Sequence, residues 1–289
     1  MLKERIFSAI VMIILAMVAI FWLPPLLFTL ILSSLIVLGM WEWSQFAGIK
    51  SSIGRIIVAL IVASLLLLVI MATTHSIQST RFLTDETTPW LFIGCIWWII
   101  ALALVTTYPK SASYWTKSVS AKFIFGVVTL LPFLISVLAL RFYQYPFNSL
   151  QGTYLLLYVF LLVWGADSGA YFIGRAIGKR KLAVNVSPNK SLEGAIGGVL
   201  VAILIAVIFL QVSPEHIFGR KIGILPFMLL STLTVSASIL GDLTESMFKR
   251  QAGIKDSSNL ISGHGGILDR IDSLTAAVPV FTTGFFFFL

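Results

Sequence analysis

Long apolar stretches separated by shorter polar segments make up most of the chain. Nine of these stretches approach or reach the length of about 17–25 residues that a helix needs to cross the hydrocarbon core of a bilayer. They cover residues 6–23, 25–40, 56–73, 90–107, 123–140, 153–171, 195–211, 224–241 and 274–289. The pattern predicts an all-α polytopic membrane protein with about nine transmembrane helices.

The first stretch begins like a signal peptide, because the charged residues Lys3 and Arg5 precede an apolar run. The run is long enough to span a bilayer, and no small-residue cleavage site follows it. We therefore expect an uncleaved first helix. Pro24 and Pro25 should separate this helix from the second one, since proline disfavours helix at its own position and at the position before it.

The distribution of Lys and Arg orients these helices. With nine spans, the segments between them alternate sides, and one set (the N-terminus, 41–55, 108–122, 172–192 and 242–272) carries sixteen of the twenty Lys and Arg residues. Cytoplasmic loops carry the excess of positive charge in membrane proteins. The distribution predicts a cytoplasmic N-terminus and an outer C-terminus, and it assigns the polar segments 172–192 and 242–272 to the cytoplasmic side.

Composition excludes a soluble globular protein. Hydrophobic residues make up 58% of the chain and charged residues only 11%, against roughly a quarter charged in soluble domains. The single cysteine, Cys95, excludes an intramolecular disulfide framework and a cysteine-based zinc site. Eight of the twelve acids follow residue 160. We therefore predict a scaffold of transmembrane helices in 1–145, available for oligomer contacts, and a catalytic transmembrane region with cytoplasmic polar loops in 146–289.

Segment 242–272 is a dense polar part of the chain, with five of the twelve acids between apolar flanks. A charged residue at bilayer depth costs about 2.5–3.5 kcal/mol on insertion scales, so such residues must lie at the membrane surface or line a wet cavity. If the helix of the eighth span continues past Gly241, then Asp242, Ser246 and Lys249 recur at i, i+4 and i+7 and share one face. A carboxylate, a hydroxyl and a cation would then project together.

A further helix is expected near the end of this segment, with Asp269 and Asp272 on one face at i and i+3. Gly265 and Gly266 precede it and allow backbone N–H groups to approach an anion, while carboxylate oxygens suit magnesium. Together with Asp242, the two acids can hold one or two divalent ions that bridge the phosphates of a nucleotide. Four cations of the segment can neutralise the phosphate oxygens: Lys249, Arg250, Lys255 and Arg270. The alternative is a solvated loop whose acids pair with its bases.

The other cytoplasmic segment carries a further set of polar residues. Asp167 ends an apolar helix, where a lone acid is costly and a functional role is favoured. The basic run 175–181 either attracts anionic lipid headgroups or is an ordinary positive-inside loop. Ser187 and Lys190 lie in a predicted turn just before a helix start and offer another phosphate contact, whereas Glu193 is alternatively a helix-capping acid.

The spacing of several of these residues resembles the signature of the bacterial phosphatidate cytidylyltransferases, also called CDP-diacylglycerol synthases. The matching positions are Ser246, Lys249-Arg250, Lys255, His264-Gly265-Gly266 and Asp269-Arg270-x-Asp272. The segments that begin at Asp167 and at Ser187, and the many-helix layout, resemble the same family. The resemblance therefore extends over the whole chain.

The resemblance implies a reaction of phospholipid biosynthesis in which CTP and phosphatidic acid give CDP-diacylglycerol and pyrophosphate. An oxygen of the lipid phosphate would attack the α-phosphorus of CTP in line, without an enzyme nucleophile. The implied cofactor is Mg2+, with room for a second metal ion, divalent or K+. The implied partners are CTP, phosphatidic acid and membrane lipids, with no nucleic acid, and the apolar N-terminal half is compatible with a homodimer. The implied location is the bacterial cytoplasmic (inner) membrane, with the active site facing the cytoplasm.

The resemblance also implies roles for individual residues. Asp242, Asp269 and Asp272 would be the metal ligands. The catalytic set adds three phosphate clamps and a histidine that donates a hydrogen bond or positions a phosphate: Lys249, Arg250, Lys255 and His264. The substrate-binding set is Asp167, Ser187, Lys190, Ser246, Gly265, Gly266 and Arg270.

Two other functions stay open at this point. A CTP-dependent polyprenol kinase shares parts of the motif but transfers the γ-phosphate, so its products would be a phosphorylated prenol and CDP. An anion transporter would line a path with intramembrane charges. The transporter is disfavoured because the charges gather on one side and the sequence has no visible inverted repeat.

Overall fold

The computed structural model describes residues 2–72, 83–212, 218, 222–261 and 265–289. These residues contain ten helices and one two-stranded sheet. The first six helices are α1 (Leu2–Trp22), α2 (Pro25–Phe46), α3 (Ser52–Ala72), α4 (Thr88–Thr106), α5 (Ala112–Trp115) and α6 (Val119–Arg141). The remaining elements are α7 (Ser149–Ile177), β1 (Lys181–Ala183), β2 (Ser187–Ser191), α8 (Leu192–Val212), α9 (Ile224–Ala252) and α10 (Leu268–Phe287).

The predicted membrane fold is confirmed. Each of the nine predicted spans coincides with one long helix, and seven helices of the described residues are long and apolar enough to cross a membrane: α2, α3, α4, α6, α7, α8 and α9. Pro24 is extended and Pro25 begins α2, so the two prolines separate α1 from α2 as predicted. The orientation of the termini stays a prediction.

Helices α9 and α7 both extend beyond their predicted spans, with consequences for the polar residues at their ends. Helix α9 continues past Gly241 to Ala252, as the shared face of Asp242 and Lys249 requires. It stops at Gly253, whose φ of 72° is the left-handed conformation that glycine accepts readily. The prediction that a helix ends at Asp167 is wrong, because α7 continues to Ile177. Asp167 therefore projects from within a helix.

The predicted loop 172–192 contains an antiparallel hairpin, which is the one sheet in the otherwise helical part of the chain that the structure describes. Strands β1 and β2 pair Lys181 with Ser191 and Ala183 with Ser187, which makes Ser187 a strand residue and not part of a turn. The side chain of Glu193 interacts with its own backbone N–H in the first turn of α8. Its carboxylate accepts the backbone N–H groups of residues 179 and 180 and thereby ties the end of α7 to the start of α8.

Close helix contacts position the polar ends of α9 and α10. A Cβ at Gly241 would overlap the backbone oxygen of Asp272, so only glycine permits α9 to approach α10 at this level. About two turns after Gly241, the ring of Phe248 in α9 lies 5.0 Å from the rings of both Trp43 and Trp115. These aromatic contacts fix the end of α9 against α2 and α5, directly beside the charged residues that follow.

Candidate active site

The face predicted for α9 is present, but its lysine bonds to other acids than Asp242. Ser246 donates to Asp242 Oδ1 at 3.3 Å. Lys249 reaches Glu245 Oε2 at 3.3 Å and Asp269 Oδ1 of α10 at 2.6 Å. The last contact joins the two helices that carry the predicted catalytic acids.

Asp269 uses both carboxylate oxygens within the protein. Oδ1 pairs with Lys249, and Oδ2 accepts the backbone N–H and hydroxyl of Ser257, each at 2.9 Å, and the N–H of Gly266 at 2.8 Å. Burial raises the pKa of Asp269, but the hydrogen bonds from Lys249, Gly266 and Ser257 outweigh it and hold that pKa below its ordinary value. Asp269 is therefore an anion that fixes the segment between α9 and α10.

The two glycines of this segment make room for carboxylates. Gly265 has a φ of 82°, and a Cβ there would lie 2.6 Å from Asp269 Oδ2. A Cβ on Gly266 would overlap Ser257 Oγ and Glu42 Oε1. The N–H of Gly266 donates to Asp269, so the anion it contacts here belongs to the protein. His264 lies outside the described residues.

Sequence reasoning missed Glu42, which comes from α2 and is completely buried. It accepts four hydrogen bonds, from the hydroxyls of Ser257 (3.0 Å) and Ser258 (2.5 Å) and from the backbone N–H groups of Ile267 (2.9 Å) and Leu268 (2.7 Å). The signal was available, because a lone acid follows an apolar run in Trp41-Glu42-Trp43 and is as costly there as Asp167.

The hairpin contributes the second part of the site. Lys190 of β2 forms an ion pair with Asp242 Oδ2. Asp167 lies within electrostatic range of Lys190 and Asp242. Arg250 Nε donates to the backbone oxygen of Val186 at 3.4 Å and holds the hairpin against the end of α9. The structure thus brings Asp167 and Lys190 to Asp242, whereas the contacts of Ser187 are those of strand pairing.

Two further acids lie between α9 and α10. Glu245, which sequence reasoning did not single out, is only 4% exposed, and its carboxyl group hydrogen-bonds to that of Asp272. Glu245 and Asp272 line a small cavity with Thr244. Burial and the negative charge of Asp242 raise the pKa of Asp272, which precedes the apolar part of α10.

These charged residues form one group, which we call the acid–lysine cluster: Lys190, Asp242, Glu245, Lys249, Asp269 and Asp272. Two other predicted cations, Lys255 after α9 and Arg270 in the first turn of α10, have exposed side chains. Within the described residues, no three His, Cys, Asp or Glu side chains are arranged as a metal site. The donor chemistry of the cluster nevertheless fits a hard cation, because the carboxyl groups of Glu245 and Asp272 lie within hydrogen-bonding distance of each other, near the negative charges of Asp242 and Asp269.

Known proteins resemble the chain over its full length. The model of the cytidylyltransferase family matches residues 3–288. A phosphatidate cytidylyltransferase of Haemophilus influenzae is 48% identical over 289 residues, which cover 100% of both chains. Another, of Pseudomonas aeruginosa, is 44% identical over 281 residues, 97% of this chain and 96% of the relative. A third, of Bacillus subtilis, is 39% identical over 157 residues, 53% of this chain and 55% of the relative.

Proposed function

The chain belongs to the cytidylyltransferase family and catalyses the synthesis of CDP-diacylglycerol, and we propose that it joins CTP to phosphatidic acid at the acid–lysine cluster. It is a multi-pass membrane protein, which gives the lipid substrate direct access from the bilayer. The observation that carries the proposal is the meeting of Lys190 from β2, Asp242 and Lys249 from α9, and Asp269 from α10. Two lysines and several acids from three elements match the needs of phosphate chemistry.

The proposed reaction is a direct displacement. An oxygen of the phosphatidate phosphate attacks the α-phosphorus of CTP, the bond from that phosphorus to the bridging oxygen breaks, and pyrophosphate leaves. No side chain becomes covalently attached to the nucleotide. The protein therefore acts by holding the two phosphates in line and by balancing the negative charge that collects on their oxygens.

Lys190 and Lys249 are the residues we assign to the phosphates. Each is held by a carboxylate, Lys190 by Asp242 and Lys249 by Asp269. A phosphate group carries the same sign of charge and can take the place of the carboxylate at either lysine. Phosphate binding would then release Asp242 and Asp269 from their lysines. Both acids pair with lysines in the structure, and this exchange would free their oxygens for the predicted metal ion.

We propose that Asp242, Asp269 and Asp272 hold Mg2+, and that Glu245 contributes to a second cation, divalent or K+. A magnesium ion bound there supplies positive charge to the phosphate oxygens and stabilises the charge that develops on pyrophosphate. Ser246 orients Asp242 through its 3.3 Å hydrogen bond. The cavity lined by Glu245, Asp272 and Thr244 provides room beside these acids.

We also propose that the site faces the cytoplasm of a bacterium, in the inner membrane. Sixteen of the twenty Lys and Arg residues lie in the segments assigned to that side, and CTP is a cytoplasmic nucleotide. The homodimer stays part of the proposal. Helix α3 supports it only in that the residues of its apolar window are not buried within the protein.

Product analysis tests the proposed function. Purified protein in detergent is incubated with radiolabelled CTP and phosphatidic acid, with and without Mg2+, and the products are separated. We expect CDP-diacylglycerol and pyrophosphate only when Mg2+ is present. Formation of a phosphorylated prenol and CDP from a polyprenol substrate, with no CDP-diacylglycerol from phosphatidic acid, would replace this function with that of a kinase.

A further inference from the structure

We infer that Glu42 is a positioning residue of the active site, which acts by holding the described ends of the segment between α9 and α10, residues 257–261 and 265–268, in the place that Asp269 and Asp272 need. It lies in α2, in the half of the chain that the sequence assigns to scaffold. Every hydrogen bond shown for its side chain goes to this segment. The inference deepens the proposed function, and only its kinetic test rests on that function.

The start of α10 needs hydrogen-bond acceptors from elsewhere in the protein. The first N–H groups of a helix have no partner within the helix. Ile267 occupies the cap position of α10 and has no side chain able to accept these hydrogen bonds. Glu42 supplies the missing acceptor from another helix, at 2.9 Å and 2.7 Å from the N–H groups of Ile267 and Leu268. Its negative charge also matches the positive end of the α10 dipole.

Ser257 connects Glu42 to Asp269. The Ser257 hydroxyl lies 3.0 Å from Glu42 Oε2 and 2.9 Å from Asp269 Oδ2. A hydroxyl has one proton to donate. If it is donated to Glu42, the backbone N–H of Ser257 still bonds to Asp269. Ser257 therefore lies between Glu42 and Asp269, the carboxylate that pairs with Lys249.

Helix α2, which carries Glu42, is itself held in place by its neighbours. Gln45, one turn after Glu42, donates to the backbone oxygen of Ser257 at 2.5 Å. The side chain of Trp43 donates to the backbone oxygen of Lys122 at 2.8 Å and packs against Phe248 of α9. Helix α2 is therefore fixed to α6 and α9 while it holds the segment. A side chain on such a support sets the position of the segment and does not merely follow it.

The experiment compares Glu42→Gln and Glu42→Asp with Ser44→Ala. Ser44 is a matched control, because it is buried on the same helix and its hydroxyl bonds to the backbone oxygen of Trp41. Glu42→Gln keeps the size of the side chain but loses its charge and turns one acceptor into a donor. For each variant we would measure kcat, the KM for CTP, the Mg2+ concentration for half-maximal rate and the folded fraction, together with the hydrogen–deuterium exchange of residues 267 and 268.

For Glu42→Gln we expect a fall in kcat of about tenfold or more, the factor for one charge-assisted hydrogen bond lost from the aligned state, with the KM for CTP changed less. The Mg2+ requirement should rise, and exchange at residues 267 and 268 should be faster. Glu42→Asp should recover part of kcat, and Ser44→Ala should resemble the wild type. A kcat per folded enzyme within about twofold of the wild type, or unchanged exchange at residues 267 and 268, would overturn the inference.

Failure of folding in Glu42→Gln would not leave the question open. Ser258→Ala removes one of the four donors to Glu42 and leaves the carboxylate in place. It should lower kcat by a few fold and speed the same exchange, and wild-type values for both would overturn the inference. The proposed function fails separately, if the wild type makes no CDP-diacylglycerol. In that case the exchange measurements still decide whether Glu42 holds the segment.

Discussion

Replacement of Asp269 by Asn tests the centre of the site, because it removes a charge and keeps the size of the side chain. The aspartate pairs with Lys249 at 2.6 Å, and the two side chains are only 7% and 13% exposed. Its other oxygen accepts three hydrogen bonds, two from Ser257 and one from Gly266. Asparagine has a single acceptor oxygen, so it cannot serve Lys249 and these donors together.

Two losses contribute to the magnitude. Removing one partner of a buried ion pair costs about 3–5 kcal/mol, and Lys249 retains Glu245 as a second partner, so we expect the lower end of that range or less. The fall in activity should be larger than the fall in the folded fraction of the protein. Removing one group that stabilises transition-state charge typically lowers kcat by about 10²–10³-fold, and we expect that range here.

The assay measures CDP-diacylglycerol formation per folded enzyme and thermal unfolding in detergent. Asp85→Asn is the matched control, since Asp85 is exposed in the connection before α4 and the same chemical change there should alter neither quantity. Near-normal activity of Asp269→Asn in folded protein would refute both the metal role and the charge balance argued for this acid. Lost activity with an unaltered Mg2+ requirement would refute the metal role alone.

Two substitutions test the neighbouring contacts. Lys190→Ala breaks the pair with Asp242, which is more than a quarter exposed on both sides. We therefore expect the protein to lose at most about 1 kcal/mol of stability but kcat/KM to fall roughly tenfold. The control is Lys181→Ala, which changes an exposed lysine. Equal kinetics of the two variants would contradict the assignment of Lys190 to a phosphate. Gly266→Ala should destabilise the protein by about 1–3 kcal/mol, because its Cβ overlaps Glu42 Oε1. An unchanged melting temperature would show that the segment yields freely.

The membrane fold could be predicted from the sequence for two reasons. A helix satisfies its backbone hydrogen bonds internally, as lipid requires, and the thickness of the bilayer sets its length. The extension of α9 was also predictable, since Asp242, Ser246 and Lys249 share a face only in a helix. The hairpin was not. Strand β2 has no alternation of apolar residues, and the contact of Arg250 with Val186 that holds the hairpin comes from a distant part of the chain.

The site was predictable as a set of residues but not as a set of contacts. The sequence predicts Asp242 and Asp269 as metal ligands and Lys249 as a phosphate clamp. It could not show that Lys249 pairs with Asp269, because that depends on how α9 and α10 pack. The partners of Glu42 could not be predicted for the same reason, since it lies 215 positions from Ser257. Local spacing carries no information about contacts at such separations.

The cost of charge in an apolar protein explains how the site is arranged. Buried acids are tolerated when donors or cations surround them. Glu42 and Asp269 share the Ser257 hydroxyl; besides it, Glu42 has three donors, Asp269 has Lys249 and two N–H groups, and Asp242 has Lys190. Within the acid–lysine cluster, the buried carboxyl group of Glu245 lies against that of Asp272, and this contact is costly unless the two acids share a proton or a cation. A cation beside the two acids would remove that cost, and this is where the proposed metal chemistry needs positive charge.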